Sequence, residues 1–296
     1  VYTDANLLSA KDRRGAYVGS WGVNEEVVVD KALEWIAQAK TEDKPFLVNY
    51  NAVFPHHPYD VPPWHKKLTK LDWGGPPRHA RYRAALRYSD LAVRRMYEGL
   101  EQLGVLEDTL FVVVPDHGET FGDRHPGNLL HAGYAYDDDQ HVFLILHAPH
   151  ALGPARRVDR LGSHVDLLPT LLDLLGIDRV LEVEGQNLLA ADFRRPALFY
   201  YSRRQYAVRD DDLKLVVHRK GRKVELYDLS VDPTEQHDIA DQRPDDTQRL
   251  QQLVDRWRVE VTRAYRTRAE TTGQTDKQIR KLAKRRREQL FARKQR

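Results

Sequence analysis

The chain has 296 residues, of which 41% are hydrophobic and 31% charged, enough for one large domain and a smaller one. It has no cysteine, which excludes disulfides and thiolate metal sites, and no run approaches the roughly 18 consecutive apolar residues that span a membrane. The net charge of +3 is unevenly distributed along the chain, because residues 263–296 carry 13 Lys and Arg against 3 Asp and Glu.

The first two thirds of the chain alternate between predicted helices and predicted strands. Asn24 is a predicted N-cap, and Gly104 and Gly176 follow helices as C-terminal glycines. The predicted elements in chain order are helix 25–40, strand 46–52, helix 78–103, strand 110–115, strand 142–147 and helix 165–175. Strands separated by helices of this length favour an α/β fold with a mostly parallel sheet sandwiched by helices.

A different pattern follows Pro196. Short strands are predicted at 197–201, 205–209, 213–219 and 223–229, with a helix over 244–266. This pattern indicates a small antiparallel sheet packed by one helix. We therefore predict an α/β region at 1–195, a small antiparallel subdomain at 196–266, and a basic polar tail at 267–296 that is either helical or a solvated arm.

The most informative stretch runs from Thr109 to Glu119. Its apolar, β-branched half predicts a strand buried on both faces, and ligands bind just beyond such strand ends. Asp116 and His117 stand at that point and offer a carboxylate oxygen and an imidazole nitrogen to a hard metal ion, while Gly118 allows a sharp turn. The alternative is an ordinary polar turn in which Asp116 caps the next element.

Four segments, in order along the chain, resemble the sulfatase family of the alkaline phosphatase superfamily. They are a strand leading into a Pro-His-x-Pro-Tyr loop, the strand with Asp-His-Gly-Glu, a later helix, and a C-terminal strand and turn, at residues 45–59, 111–119, 163–177 and 225–235. The resemblance implies an alkaline phosphatase-like fold and a sulfuric ester hydrolase that cleaves a sulfate ester. Two alternatives stay open: a phosphodiesterase or phospho-headgroup transferase of the same superfamily, and a truncated chain without catalysis.

The resemblance also implies the cofactor. Asp116 and His117 match the two metal ligands that the family carries after its core strand. The implied cofactor is a divalent metal ion, with calcium favoured and magnesium or manganese allowed because of the nitrogen ligand.

Histidines are the predicted catalytic and substrate-binding residues. His56 matches the histidine of the Pro-His-x-Pro-Tyr loop, and His131 falls where the family has a lysine or histidine after the metal motif. An imidazole there can bind an ester oxygen or protonate the leaving group. His57 replaces His56 if the register is shifted by one, and His125 is a candidate to support these groups.

The family's nucleophile segment, Cys or Ser-x-Pro-x-Arg, and its early pair of aspartates have no match. The aspartate runs at 137–139 and 210–212 lie in the wrong order. We therefore expect a C-terminal portion of a longer enzyme that is inactive by itself.

The expected partner is a small-molecule or glycan sulfate or phosphate ester. No nucleic-acid partner is expected, because basic residues without aromatic interleaving do not form a binding motif. The basic tail is a candidate for contact with an anionic membrane surface, and the resemblance favours an extracytoplasmic or membrane-associated location.

Overall fold

The computed structural model describes residues 9, 16–129, 131–177, 183–221 and 223–272. It contains two compact units, one built from residues 1–114 and 144–157 and the other from residues 115–143 and 158–296. Within the described ranges, no helix is both long enough and apolar enough to cross a membrane. The predicted domain boundaries at 195 and 266 stay predictions.

Two antiparallel-sheet strands and two long helices form the first unit. The helices are α1, Glu25–Thr41, and α2, Pro77–Gln102, and both match the predicted spans to within one residue. Their facing sides and Leu106, just after α2, form an apolar core of Val29, Ala32, Ile36, Ala92, Met96, Leu100 and Leu106. Burying each large aliphatic side chain stabilises the fold by roughly 1.5–3 kcal/mol, so this core is a main source of stability in the first unit.

The predicted strand at 46–52 is wrong as a strand assignment. Phe46, Val48 and Tyr50 pack against the helix core, whereas Leu47 between them is 89% exposed. The alternation of a strand is therefore present, but no ladder partner pairs with this segment among the described residues. It is an extended segment that covers α1 and α2.

Strands β1, Phe111–Val113, and β2, Ile145–His147, pair antiparallel, with Val112 opposite Leu146. The prediction of a strand here is confirmed, but its burial on both faces is wrong, because all three β1 residues are only half-buried. An antiparallel pair is compatible with the predicted sheet, since large α/β sheets commonly carry an antiparallel edge strand.

The second unit contains the predicted antiparallel meander. The helix α3, Leu167–Leu174, comes first and ends before Gly176. Strands β3, β4, β5 and β6 pair in that order and span Leu198–Tyr201, Gln205–Asp210, Leu213–His218 and Val224–Asp228. The helix α4 follows at Pro244–Thr272. The α/β class with a small antiparallel sheet and helix is thus confirmed.

Both faces of this meander are covered. Val208, Leu215 and Leu226 lie on one face and pack against Leu250 and Val254 of α4. Their chain neighbours Ala207, Val216 and Tyr227 lie on the other face, as the period of two requires, and pack against Ala135 and Tyr136. The sheet therefore holds a helix on one side and a loop on the other.

The tail predicted at 267–296 is described only in part. Helix α4 extends to Thr272, six residues past the predicted end at 266, and the remaining residues lie outside the described part of the chain.

Candidate active site

Asp116 and His117 form a tight local pair in the second unit. The backbone N–H of His117 donates to Oδ1 of Asp116 at 2.9 Å, and Oδ2 of Asp116 lies 3.6 Å from Nε2 of His117. The Asp116 side chain is 88% exposed and that of His117 is 37% exposed. The two predicted metal-ligand atoms therefore lie side by side and open to solvent.

The hydrogen bond at the other ring nitrogen sets the tautomer of His117. Nδ1 lies 2.7 Å from the carbonyl oxygen of Gly118. A carbonyl only accepts, so Nδ1 carries the proton and the neutral ring presents the Nε2 lone pair on the side of Asp116. This is the usual way in which proteins orient a metal-binding imidazole.

The donor set fits a divalent cation in part. A carboxylate oxygen and an imidazole nitrogen 3.6 Å apart can both contact one ion. Within the described ranges, however, no group of three or more His, Cys, Asp or Glu side chains is placed to hold a metal. Asp116 and His117 thus offer two ligands and not a complete set.

His131 lies directly against this pair. Its ring stacks on that of His117 with centroids 4.0 Å apart and planes 26° apart. Nδ1 of His131 is 3.5 Å from Oε2 of Glu119, whose side chain is only 5% exposed. The structure therefore brings together three of the four predicted site residues, Asp116, His117 and His131.

The segment that follows His131, residues 132–140, is hydrogen-bonded to the meander. We call this segment the strap. Its backbone and side chains bond to the sheet almost residue by residue: Arg203 N–H to Ala132 O, Arg204 N–H to Gly133 O, Ala135 N–H to Gln205 Oε1, and Tyr136 O–H to Glu225 Oε2. These bonds are 2.7–3.3 Å long, so the sheet determines where the strap lies.

A buried ionic network completes the attachment. Nζ of Lys214 on β5 lies 2.6 Å from Asp137 and 2.8 Å from Glu235, and the lysine side chain is fully buried. The backbone N–H of Asp137 donates to Oε2 of Glu235 at 2.6 Å. A buried ammonium needs such partners, since an unpaired buried charge is strongly unfavourable.

The strap also contacts the turn at residues 116–118, called the metal-binding turn after its predicted role. The N–H of Gly118 donates to the carbonyl of Asp139 at 2.9 Å. A Cβ at Gly118 would lie 2.1 Å from the carbonyl oxygen of Asp138, so only glycine fits at this approach.

Burial raises the pKa of Asp139 to about 7, and Nδ2 of Asn128 lies 3.5 Å from the Asp139 carboxyl.

His56 belongs to the first unit. Its Nδ1 lies 3.0 Å from the carbonyl of His57, and its ring centroid is 4.0 Å from that of Trp21. The ring of His57 instead lies 5.5 Å from that of Tyr59. The two histidines therefore have separate surroundings, and the choice between them for the ester stays a prediction.

Sequence reasoning gave no role to Glu119 or His164. Nε2 of His164 lies 2.8 Å from the carbonyl of Pro115, immediately before Asp116. Glu119 could have been found from its place within the metal motif, whereas nothing in the sequence near His164 indicates this contact.

His125, the predicted supporting residue, stacks on Tyr136 of the strap with ring centroids 3.5 Å apart, and burial lowers the pKa of His125.

Comparison with known proteins identifies the family. The Sulfatase family model matches residues 2–177, more than half of the chain, and a model of the N-sulphoglucosamine sulphohydrolase C-terminal region matches residues 129–262. The chain belongs to the sulfatase family. The family predicted from the four sequence motifs is thereby confirmed.

Individual relatives agree with this assignment. The chain is 28% identical over 281 residues to the uncharacterized sulfatase YidJ of Escherichia coli, covering 79% of this chain and 55% of that protein. It is 26% identical over 176 residues to the N-acetylglucosamine-6-O-sulfatase of Bacteroides thetaiotaomicron, covering 53% and 31%. The crystal structure of the YidJ protein of Bacteroides fragilis superimposes with a TM-score of 0.67 at 24% identity, covering 80% and 58%, which supports the fold. The chain thus spans about half the length of this Escherichia coli relative.

Proposed function

We propose that this chain acts in a metal-dependent hydrolase that cleaves a sulfate ester. The observation that carries the proposal is the Asp116–His117 pair, in which one hydrogen bond sets the imidazole tautomer, with His131 stacked beside it. Family membership supports the reaction class. The named substrate of the Bacteroides thetaiotaomicron relative supports a sulfated sugar as the substrate type.

The charge of the ester explains why these residue types are needed. A sulfate ester carries negative charge on its non-bridging oxygens, and more develops on the leaving oxygen during cleavage. A divalent ion, held by Asp116 and His117 when bound, supplies charge compensation to the ester. We propose calcium, with magnesium or manganese as the other candidates.

His131 and His56 are proposed to contact the ester rather than the metal. The imidazole ring of His131 is only 20% exposed, and its Nδ1 lies 3.5 Å from Oε2 of Glu119. Such a ring can donate a hydrogen bond to a sulfuryl oxygen or give its proton to the leaving oxygen. His56 takes the same type of role from its loop in the first unit.

We propose that the nucleophile lies on a segment not included in these 296 residues. The proposal is supported by the absence of cysteine and by coverage of only 55% of a full-length relative. Groups that act as a unit lose nearly all catalysis when one is removed. The 296-residue chain alone should therefore show no metal-dependent turnover of aryl sulfates or phosphate diesters, and clear turnover would contradict this.

The main test replaces the two proposed metal ligands in the full-length enzyme. Asp116→Ala and His117→Ala should each lower bound metal, measured by elemental analysis, and reduce sulfate release by orders of magnitude. Asp108→Ala is the matched control, since Asp108 is an equally exposed aspartate of the first unit. Unchanged metal content in both site variants would contradict the assignment of Asp116 and His117 as metal ligands.

A second test separates metal ligands from ester-binding residues. His131→Ala and His56→Ala should each cost on the order of 2–4 kcal/mol in transition-state stabilisation while metal stoichiometry stays at the wild-type value. Loss of metal in His131→Ala would make it a metal ligand. Full activity in His56→Ala with loss in His57→Ala would shift the loop assignment by one residue. Faster cleavage of phosphate diesters than of sulfate esters would favour the phosphodiesterase alternative.

A further inference from the structure

A shallow depression in the first unit lies beside His56. Gly19, Ser20, Trp21, Val53, Phe54, His56 and Asp60 line it. No role has been given to any of these residues except His56. The depression itself, about 10 Å³, holds no more than a water molecule, so a larger ligand would lie across its rim, where an aromatic ring, a carboxylate and a hydroxyl group meet.

Trp21 is exposed but held in one orientation. Its side chain is 52% exposed, yet its Nε1–H donates to the carbonyl of His57 at 2.6 Å. The surrounding backbone is a tight turn closed by a bond from Gly19 N–H to Gly22 O at 2.9 Å. An apolar ring that is fixed before binding loses little conformational entropy when a ligand contacts it.

The same carbonyl orients His56. Nδ1 of His56 donates to His57 O at 3.0 Å, so one acceptor sets both rings, whose centroids are 4.0 Å apart. A residue proposed to contact the ester is thereby joined to a fixed aromatic surface. A ligand group adjacent to the ester can then lie on Trp21.

Asp60 adds a hydrogen-bonding edge to the aromatic surface. Its Oδ2 accepts from the backbone N–H of Ser20 at 3.1 Å and from the Ser20 hydroxyl at 2.7 Å. A carboxylate has about four acceptor sites on its two oxygens. The contacts to Ser20 therefore hold the group in place and leave acceptor capacity for ligand hydroxyls.

We infer that the pyranose ring of the leaving alcohol lies across the rim of this depression, with one face of the sugar on the exposed ring of Trp21 and a hydroxyl donating to Asp60. A sugar ring presents C–H groups on its faces and O–H donors at its edge, which matches an indole beside an acceptor-only carboxylate. The inference rests on the proposed function, since His56 is assigned to the ester there. It assigns Trp21 and Asp60 as specificity-determining residues.

Binding of an unsulfated sugar to the 296-residue chain tests the inference without requiring metal or turnover. In ¹⁵N-resolved NMR, titration with methyl N-acetyl-glucosaminide should shift the Trp21 indole N–H signal. Trp21→Ala and Asp60→Asn should each weaken binding at least tenfold, and Trp21→Phe should stay within about threefold of wild type. Trp64→Phe is the matched control, because Trp64 is equally exposed at 53% in the same unit, and it should bind like wild type.

The outcomes distinguish this inference from the proposed function. Sugar binding that depends on Trp21, found with a full-length enzyme that cleaves no sulfate ester, would keep the subsite and reject the reaction. No Trp21 shift at saturating sugar, or wild-type affinity in a Trp21→Ala chain whose circular dichroism is unchanged, would overturn the subsite. Binding of 4-nitrophenol but not of the sugar would overturn the sugar assignment as well.

Discussion

Different forces stabilise the interior of each of the two units. In the first unit, α1 and α2 meet through aliphatic side chains such as Ile36 and Met96. In the second, the strap, which bonds to Gly118 beside the candidate site, is attached through fully buried Lys214 and two carboxylates. Apolar packing is non-directional and tolerates exchange of similar volumes. Charged hydrogen bonds have defined directions, so they suit a loop whose exact position matters.

The charged network fixes the position of the strap, and the strap contacts the candidate site. The strap supplies the carbonyl that bonds to Gly118, next to Asp116 and His117. A shift of the strap therefore moves the metal-binding turn. A comparable shift between α1 and α2 would be absorbed by flexible side chains such as Leu33.

The largest expected effect comes from Lys214→Met. It leaves buried Glu235 without a cation and Asp137 with only Arg209, 3.7 Å away, which should lower the free energy of unfolding by about 3–5 kcal/mol in urea titrations. The triple variant that adds Asp137→Asn and Glu235→Gln should recover much of the loss. Met96→Leu is the control from the apolar core and should cost less than about 1.5 kcal/mol. Equal losses in Lys214→Met and Met96→Leu would remove the contrast between the units.

Gly118→Ala should act mainly on the site. The added methyl would collide with the backbone of Asp138, so the turn must move, and we expect a loss of metal affinity of roughly ten- to a hundredfold, in the range found when groups behind metal ligands are altered. Isothermal titration with the metal in the full-length enzyme measures this.

Gly99→Ala on α2 is the matched control for that substitution. The nearest atoms to its methyl would be Cδ1, Cδ2 and Cγ of Leu33, a side chain that can rotate away, and not backbone, and alanine is favoured over glycine in a helix by up to about 1 kcal/mol. Metal affinity should not change. A loss of metal affinity as large as that of Gly118→Ala would show that crowding anywhere in the chain disturbs the site.

Acid should weaken the attachment of the strap through Glu225. Burial raises the pKa of this carboxyl, but hydrogen bonds from His218, Lys223 and Tyr136 outweigh it and bring the pKa to about 2. Because the folded pKa lies below the ordinary 4.5, the stabilisation is complete above pH 4.5 and is lost as the pH falls towards 2. The full pKa difference is worth about 3 kcal/mol, and solvent screening at this site lowers it to about 2 kcal/mol. Glu225→Gln should flatten the slope of unfolding free energy against pH in that window, and an unchanged slope would contradict the assignment.

The smallest effect should come from charge on the surface of the first unit. Arg95 of α2 pairs with Asp30 of α1 at 2.9 Å, but both side chains are about half exposed. Exposed pairs contribute about 0–1 kcal/mol, so Arg95→Met should change the urea midpoint only slightly. A loss comparable with that of Lys214→Met would show that burial does not decide the strength of these pairs.

The sequence predicted the elements better than their partners. Helical periodicity and terminal glycines located α1, α2 and α3, and alternation with polar turns located all four strands of the meander. The segment at 46–52 has strand alternation, but the pattern of one segment contains no information about a neighbouring strand. The error therefore concerns pairing and not the extended conformation.

The candidate site shows the same limit. Asp116, His117 and His131 come from one short region, and their proximity follows from a local motif. Lys214 and Asp137 are 77 positions apart, and a lysine at a strand position predicts solvent exposure unless its partner is known. The role of Asp137, in the aspartate run at 137–139, therefore could not be predicted without the fold, which places Lys214 beside it.

The bond from the Gly118 N–H to the carbonyl of Asp139 makes a single amide proton a monitor of strap opening. Amide protons exchange with solvent when the local structure opens, at a rate set by the free energy of that opening. The exchange rate of this one proton therefore measures how often the strap leaves the metal-binding turn, independently of global unfolding and without any substrate.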